Sequence, residues 1–177
     1  ASAEEPRLSG PASPYSLRAR NNEFAKLDVL EQGIKEAHER NKKFFLTVNT
    51  LPHNSKLKTF VADMEPLIAM KPDALIMADP GLIMTVREKW PEMPIHLSVQ
   101  ANTTNYWGVK FWQNIGVERI ILSRELSMEE IAEIRQECPD IELEVFIHGA
   151  LCIAYSGRCL LSGYFNHRDP NQGTCTK

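Results

Sequence analysis

The chain has 177 residues, 43% of them hydrophobic and 24% charged, with a formal net charge of −3. This is the size and composition of one globular domain with a real core, and the negative balance excludes a whole-domain electrostatic grip on nucleic acid while leaving room for a local basic patch. No apolar run approaches the roughly 18 residues of a membrane span, and "ASAEEPRLSGPASP" has no apolar core of a secretory signal, so a reducing cytoplasm without structural disulfides is expected.

Residues 1–14, rich in Pro, Ser, Ala and Glu, read as a disordered or unrelated N-terminal segment. After them a unit recurs. Leu27, Leu30, Ile34 and Ala37 mark one helical face, followed by a strand-like "FFLTVNT". "SKLKTFVADMEPLIAM" reads as one helix with Leu57, Phe60, Val61, Met64 and Leu67 on a stripe, and "DALIMAD" as a strand. "PGLIMTVREKW" is a helix opened by Pro80, and "IHLSVQ" a strand. "NTTNYWGVKFWQNIG" is a helix stopped by Gly116, with Trp107 and Trp112 expected in the core. "ERIILS" is a strand, and "SMEEIAEIRQEC" a helix with a capping box at Ser127 and Glu130 and a solvated Arg135. "IELEVFIHG" is the last strand.

Continuous apolar strands alternating with helices indicate a parallel sheet covered on both faces. No G-x-G-x-x-G follows a strand, which removes the marker of a dinucleotide-binding sheet. The expected fold is α/β, an incomplete (β/α) TIM-type barrel with about five parallel strands over residues 15–177. Chemistry in such folds sits at the C-terminal ends of the strands. Those ends carry Asn49, Asp79, Ser98 and Gln100, then Ser123, Arg124 and Glu125, then His148.

After His148 the chain holds three of its four cysteines, Cys152, Cys159 and Cys175, spaced C-x6-C-x15-C among Gly and polar residues. A nucleophile would use one of them with His148 as base. Zinc knuckles require tighter C-x2-C pairs. Soft thiolates at loop spacing suit an iron–sulfur cluster, which takes four ligands. Small core thiols remain the plain alternative. Gly157, Gly163 and Gly173 are expected to turn the chain so that the three thiols converge. Arg158, Arg168, His167 and Lys177 make the segment locally basic, suited to phosphate or an acidic small molecule, or to a solvated loop. Cys138, at the end of a helix, reads as structural.

The residues "EVFIHGALC" and "AYSGRCLLS" resemble the signature of the collagenase-like peptidase family, through Glu144, Phe146, Gly149, Cys152, Gly157, Cys159 and Ser162. Within it, "YSLRARNNEF", "VNTLPHNSKLKTF", "PDALIMADPGLIM", "PEMPIHLSVQAN", "ILSRELS" and "SGRCLLSGYFNHRDPNQGTCT" are similar to the prephenate-dependent tRNA uridine hydroxylase branch. The resemblance implies a barrel enzyme that converts wobble uridine of tRNA to 5-hydroxyuridine, with prephenate as co-substrate. It also implies a [4Fe–4S] cluster held by cysteines, three of which fall on Cys152, Cys159 and Cys175. On this reading His148, Glu125 and Gln100 are the catalytic candidates, the first two as proton-handling groups. Arg124 is a carboxylate clamp, and Asn49, Arg158 and Arg168 bind substrate.

The family's opening strand and Pro-Ala-Gly loop have no evident counterpart before Tyr15, and its fourth cysteine lies past Cys175, so a piece of a longer parent is expected. Two other readings are a peptidase acting through Cys152 or a metal, and a non-catalytic iron–sulfur scaffold that pairs with a homologous protein. The absence of G-x-S-x-G and H-E-x-x-H removes the usual marks of a hydrolase.

Overall fold

The computed structural model describes residues 8–10, 15–16, 24, 26–149, 152, 154–167 and 169. Among them six strands form one sheet: β1 (Leu8–Gly10), β2 (Phe44–Val48), β3 (Ala74–Met77), β4 (Ile95–Leu97), β5 (Arg119–Ile121) and β6 (Glu142–Glu144). They lie in chain order and every pair is parallel. Helices α1 (Leu27–Glu39), α2 (Asn54–Leu57), α3 (Phe60–Ala69), α4 (Pro80–Lys89), α5 (Tyr106–Asn114) and α6 (Met128–Glu137) occupy the crossovers, and α7 (Leu161–Asn166) follows β6. Sequential parallel order with β1 and β6 left as edges is an incomplete (β/α) barrel.

Two corrections concern the ends of the sheet. The segment 1–14 is not wholly outside the fold, because Leu8–Gly10 pairs with Phe44–Leu46 as an additional strand. Three residues carry no periodicity of their own, so only their pairing partner reveals them. At the other end "IELEVFIHG" forms a strand over Glu142–Glu144 alone, and Val145, Phe146 and Ile147 are exposed. A strand paired on one side has half the ladder to hold it.

The pleat divides the strands between two cores. Leu46, Val48, Leu75, Met77, Leu97 and Ile120 face the helices, where they meet Leu30, Ile34, Phe60, Met64, Ile83 and Val86. The alternate residues Phe45, Ala74, Ile76 and Ile121 form a smaller inner cluster with Val99. His96 and Arg119 are also buried, His96 edge-on to Phe45 with ring centroids 4.6 Å apart and Arg119 over the same ring.

Helix boundaries follow local chemistry. Asp79 caps α4 by accepting from Leu82 N–H at 2.9 Å, with Pro80 in the first turn. The Ser127–Glu130 capping box forms in full. Gly116, at φ +84°, follows α5. The single helix expected over 55–70 is interrupted at Lys58–Thr59, giving α2 and α3, and Leu57 is exposed. On α5 Trp112 packs against the core, whereas Trp107 is 70% exposed, contrary to its expected burial. Arg135 is half-buried rather than fully solvated. Its guanidinium donates to the carbonyls of Cys138, Pro139 and Ile141 at 2.8–3.2 Å and ties down the turn after α6.

Candidate active site at the strand ends

Parallel strands in one sheet bring their C-terminal ends to one edge, so Asn49, Asp79, Gln100, Arg124, Glu125 and His148 follow five neighbouring strands at the same mouth. Their roles there differ. Asp79 is spent on the α4 cap. Asn49 donates from Nδ2 to Ser98 Oγ at 3.1 Å, joining the ends of β2 and β4. The same hydroxyl accepts from Gln100 N–H at 3.3 Å and shapes the 3-10 turn Val99–Ala101. Beyond the turn Asn102 takes a left-handed conformation, φ +50°, and accepts from Ser123 Oγ, which joins β4 to β5.

Gln100 is half-buried, and its Oε1 accepts from Gly157 N–H at 2.7 Å. That bond spans 57 positions of sequence and holds the cysteine segment against the mouth. Arg124 is half-buried, with its guanidinium carbon 5.5 Å from the centre of the Phe146 ring. A cation–π contact of this kind favours that position of the guanidinium, whose N–H groups suit a carboxylate or phosphate. Glu125, His148 and Arg158 are exposed at the same mouth. Phe146 and Gly157 are partners that strand-end reasoning did not single out as such. In the sequence Gly157 stood as an expected turn and, with Phe146, as a position of the family resemblance, and neither signal names its partner.

Cys152 and Cys159 are both half-buried thiols, neither of them in a disulfide. Gly157, at φ +72°, makes the expected turn between them, and Arg158 N–H donates to Tyr155 C=O at 3.2 Å to close it. Gly163, in contrast, lies inside α7 and makes no turn. Cys175, Arg168 and Gly173 lie outside the described residues. No group of three metal-ligating side chains occurs among the described residues. The donors present therefore suit a soft metal group in kind, and fall short of a complete site in number. Cys138 is buried beneath α5, its Sγ 3.7 Å from Tyr106 C=O, and burial raises its thiol pKa.

The chain after β6 exposes several apolar side chains: Ile147 is 93% exposed, and Phe146, Tyr155, Leu160, Tyr164 and Phe165 are all above half. No helix among the described residues is long and apolar enough to cross a membrane.

Comparison with known proteins agrees with this architecture. The chain is 68% identical over 162 residues to tRNA hydroxylation protein P of Escherichia coli (strain K12), covering 92% of this chain and 36% of that protein. It is 69% identical over 162 residues to the protein of the same name from Haemophilus influenzae, covering 92% of this chain and 35% of that one. The chain thus spans about a third of the length of these relatives. A solved structure described as the U32 peptidase Mk0906 superposes with a TM-score of 0.64 over 78% of this chain and 59% of that one, at 16% identity, and so shares the fold. The sequence pattern of peptidase family U32 matches residues 8–177, starting at the first residue of β1, and the chain belongs to that family.

Proposed function

We propose that the protein of which this chain is part hydroxylates tRNA, converting the wobble uridine to 5-hydroxyuridine with prephenate as co-substrate. One observation carries the reading: 68% identity, along nearly the whole chain, to a protein named for tRNA hydroxylation. The geometry of the mouth supports it. Arg124, its guanidinium over the Phe146 ring, is suited to pair bidentately with a prephenate carboxylate. Arg158, exposed in the locally basic cysteine segment, is suited to tRNA phosphate, with Arg168 assigned to the same task. His148 and Glu125 are exposed, titratable and at the strand ends, and are the groups proposed to move protons. Asn49 acts through Ser98 on the shape of the mouth.

Cys152 and Cys159, with Cys175, are proposed as three thiolate ligands of a [4Fe–4S] cluster whose fourth ligand comes from outside this chain. When bound, such a cluster supplies one-electron or Lewis-acid chemistry at the mouth. A cytoplasmic location and a homologous protein partner complete the proposal.

Mass spectrometry of tRNA nucleosides from a strain lacking the gene tests this reading. Loss of 5-hydroxyuridine, restored by the gene, is expected. Unchanged 5-hydroxyuridine overturns it, and loss of gelatin degradation alone points instead to a peptidase.

A further inference from the structure

We propose that Gln100 is a positioning residue, rather than a catalytic one, which latches the cysteine segment to the strand ends and so sets where Cys152 and Cys159 stand; the inference deepens the hydroxylase reading and rests on it for the purpose of the thiols. Gly157 N–H needs an acceptor, and it finds Gln100 Oε1 at 2.7 Å. An N–H cannot donate to an amide nitrogen, so this bond also settles which way the Gln100 amide faces. The backbone fits as closely. Gly157 sits at φ +72°, and a Cβ there would run into the Gln100 carbonyl oxygen, so only glycine lets the two backbones approach.

Gln100 is itself fixed from behind. Its N–H donates to Ser98 Oγ, which also accepts from Asn49 Nδ2, and Ser98 N–H donates to Met77 C=O at 2.6 Å. Ser98 is 2% exposed, so this anchor is shielded from water. A chain of bonds therefore runs from the ends of β2 and β3 through the 3-10 turn after β4 to Gly157. Cys152 lies five residues before that contact and Cys159 two residues after it. The latch thus grips the segment between its two thiols, on the short tight turn closed by Arg158 and Tyr155.

An acceptor is all the latch asks of position 100. Gln100→Glu keeps a carboxylate oxygen for Gly157 N–H, whereas Gln100→Leu keeps the bulk and removes the acceptor. A catalytic amide donating to substrate would be lost in both. The test is native-state alkylation of the metal-free full-length protein by N-ethylmaleimide, with each cysteine followed by peptide mass spectrometry. Gln100→Leu is expected to speed modification of Cys152 and Cys159 by about fivefold or more, the weight of one hydrogen bond. Gly157→Ala is expected to do the same, and Gln100→Glu to hold the rates of the unaltered protein. Cys138, buried under α5, reports global unfolding and is expected to stay constant in all variants.

Unaltered Cys152 and Cys159 rates in Gln100→Leu overturn the latch, as does a Gln100→Glu variant as fast as Gln100→Leu. A rise shared by Cys138 also overturns it, since the effect is then a general loosening. If tRNA from cells lacking the protein keeps its 5-hydroxyuridine, the functional reading fails while the alkylation result stands by itself.

Discussion

Arg119→Ala tests the inner face of the sheet most directly. Arg119 is 4% exposed at the start of β5, where its Nε donates to Glu142 at 2.7 Å and Nη1 reaches Glu144 at 3.4 Å, both on the edge strand. Its guanidinium also lies 5.4 Å from the centre of the Phe45 ring. Truncation removes two buried methylenes, the contact with Phe45 and charge-assisted bonds to carboxylates that remain about half exposed. Because Glu142 and Glu144 can regain water, the heavy penalty of a stranded buried charge does not apply, and the loss comes to about 3 kcal/mol. That is a large part of the ~5–15 kcal/mol that holds most domains folded. Arg119→Met keeps the apolar stem over Phe45 and should lose about half as much. Urea unfolding followed by tryptophan fluorescence gives both values. The reasoning is refuted if Met is as damaging as Ala, which makes charge the whole effect, or if both changes cost under ~0.5 kcal/mol, the scale of an ordinary surface substitution.

Three further outcomes follow from particular contacts. Burial, with a further contribution from the Asp63 carboxylate 2.7 Å from its hydroxyl, raises the pKa of Tyr15 to about 12. The neutral phenol is the form that the fold favours, so this stability is complete below about pH 10 and is lost as the pH rises through about 12. Denaturation between these limits should be flatter in Tyr15→Phe, and an identical alkaline profile would count against the assignment. Arg124→Ala in the full-length protein should lower 5-hydroxyuridine formation at least ~10-fold, as expected for a lost bidentate carboxylate contact, while Arg40→Ala, at the exposed C-cap of α1, should not; equal losses would remove Arg124 from the site. Anaerobic reconstitution of the full-length protein with iron and sulfide should give a broad visible absorption that Cys152→Ser or Cys159→Ser abolishes and Cys138→Ser keeps. Full colour in the double Cys152/Cys159 variant would make both of them plain core thiols.

Local pattern was enough for much of the architecture. Apolar runs such as Leu75-Ile76-Met77 are buried on both faces only in a covered parallel sheet, and the helices between them made the alternation legible. Pro80, Gly116 and the Ser127–Glu130 pair marked helix ends because capping chemistry is decided within four residues. The strand-end rule gathers Asn49, Gln100, Arg124 and His148 at one edge of a parallel sheet from sequence position alone.

What needed tertiary structure was every feature whose partner lies far along the chain. Leu8–Gly10 is a strand only because Phe44–Leu46 runs beside it, and among the described residues β6 pairs with β5 alone and stops before "VFIHG". Arg119 found its carboxylates 23 and 25 residues away, and Gly157 its acceptor 57 away. Arg135 turned from a solvated cation into a cap because the chain doubles back under α6, and Trp107 faces solvent because α5 buries Val109 and Trp112 instead. The physical reason is shared. Periodicity and caps are properties of a few neighbouring residues, whereas the choice among distant hydrogen-bonding and packing partners is made only when the sheet brings them together.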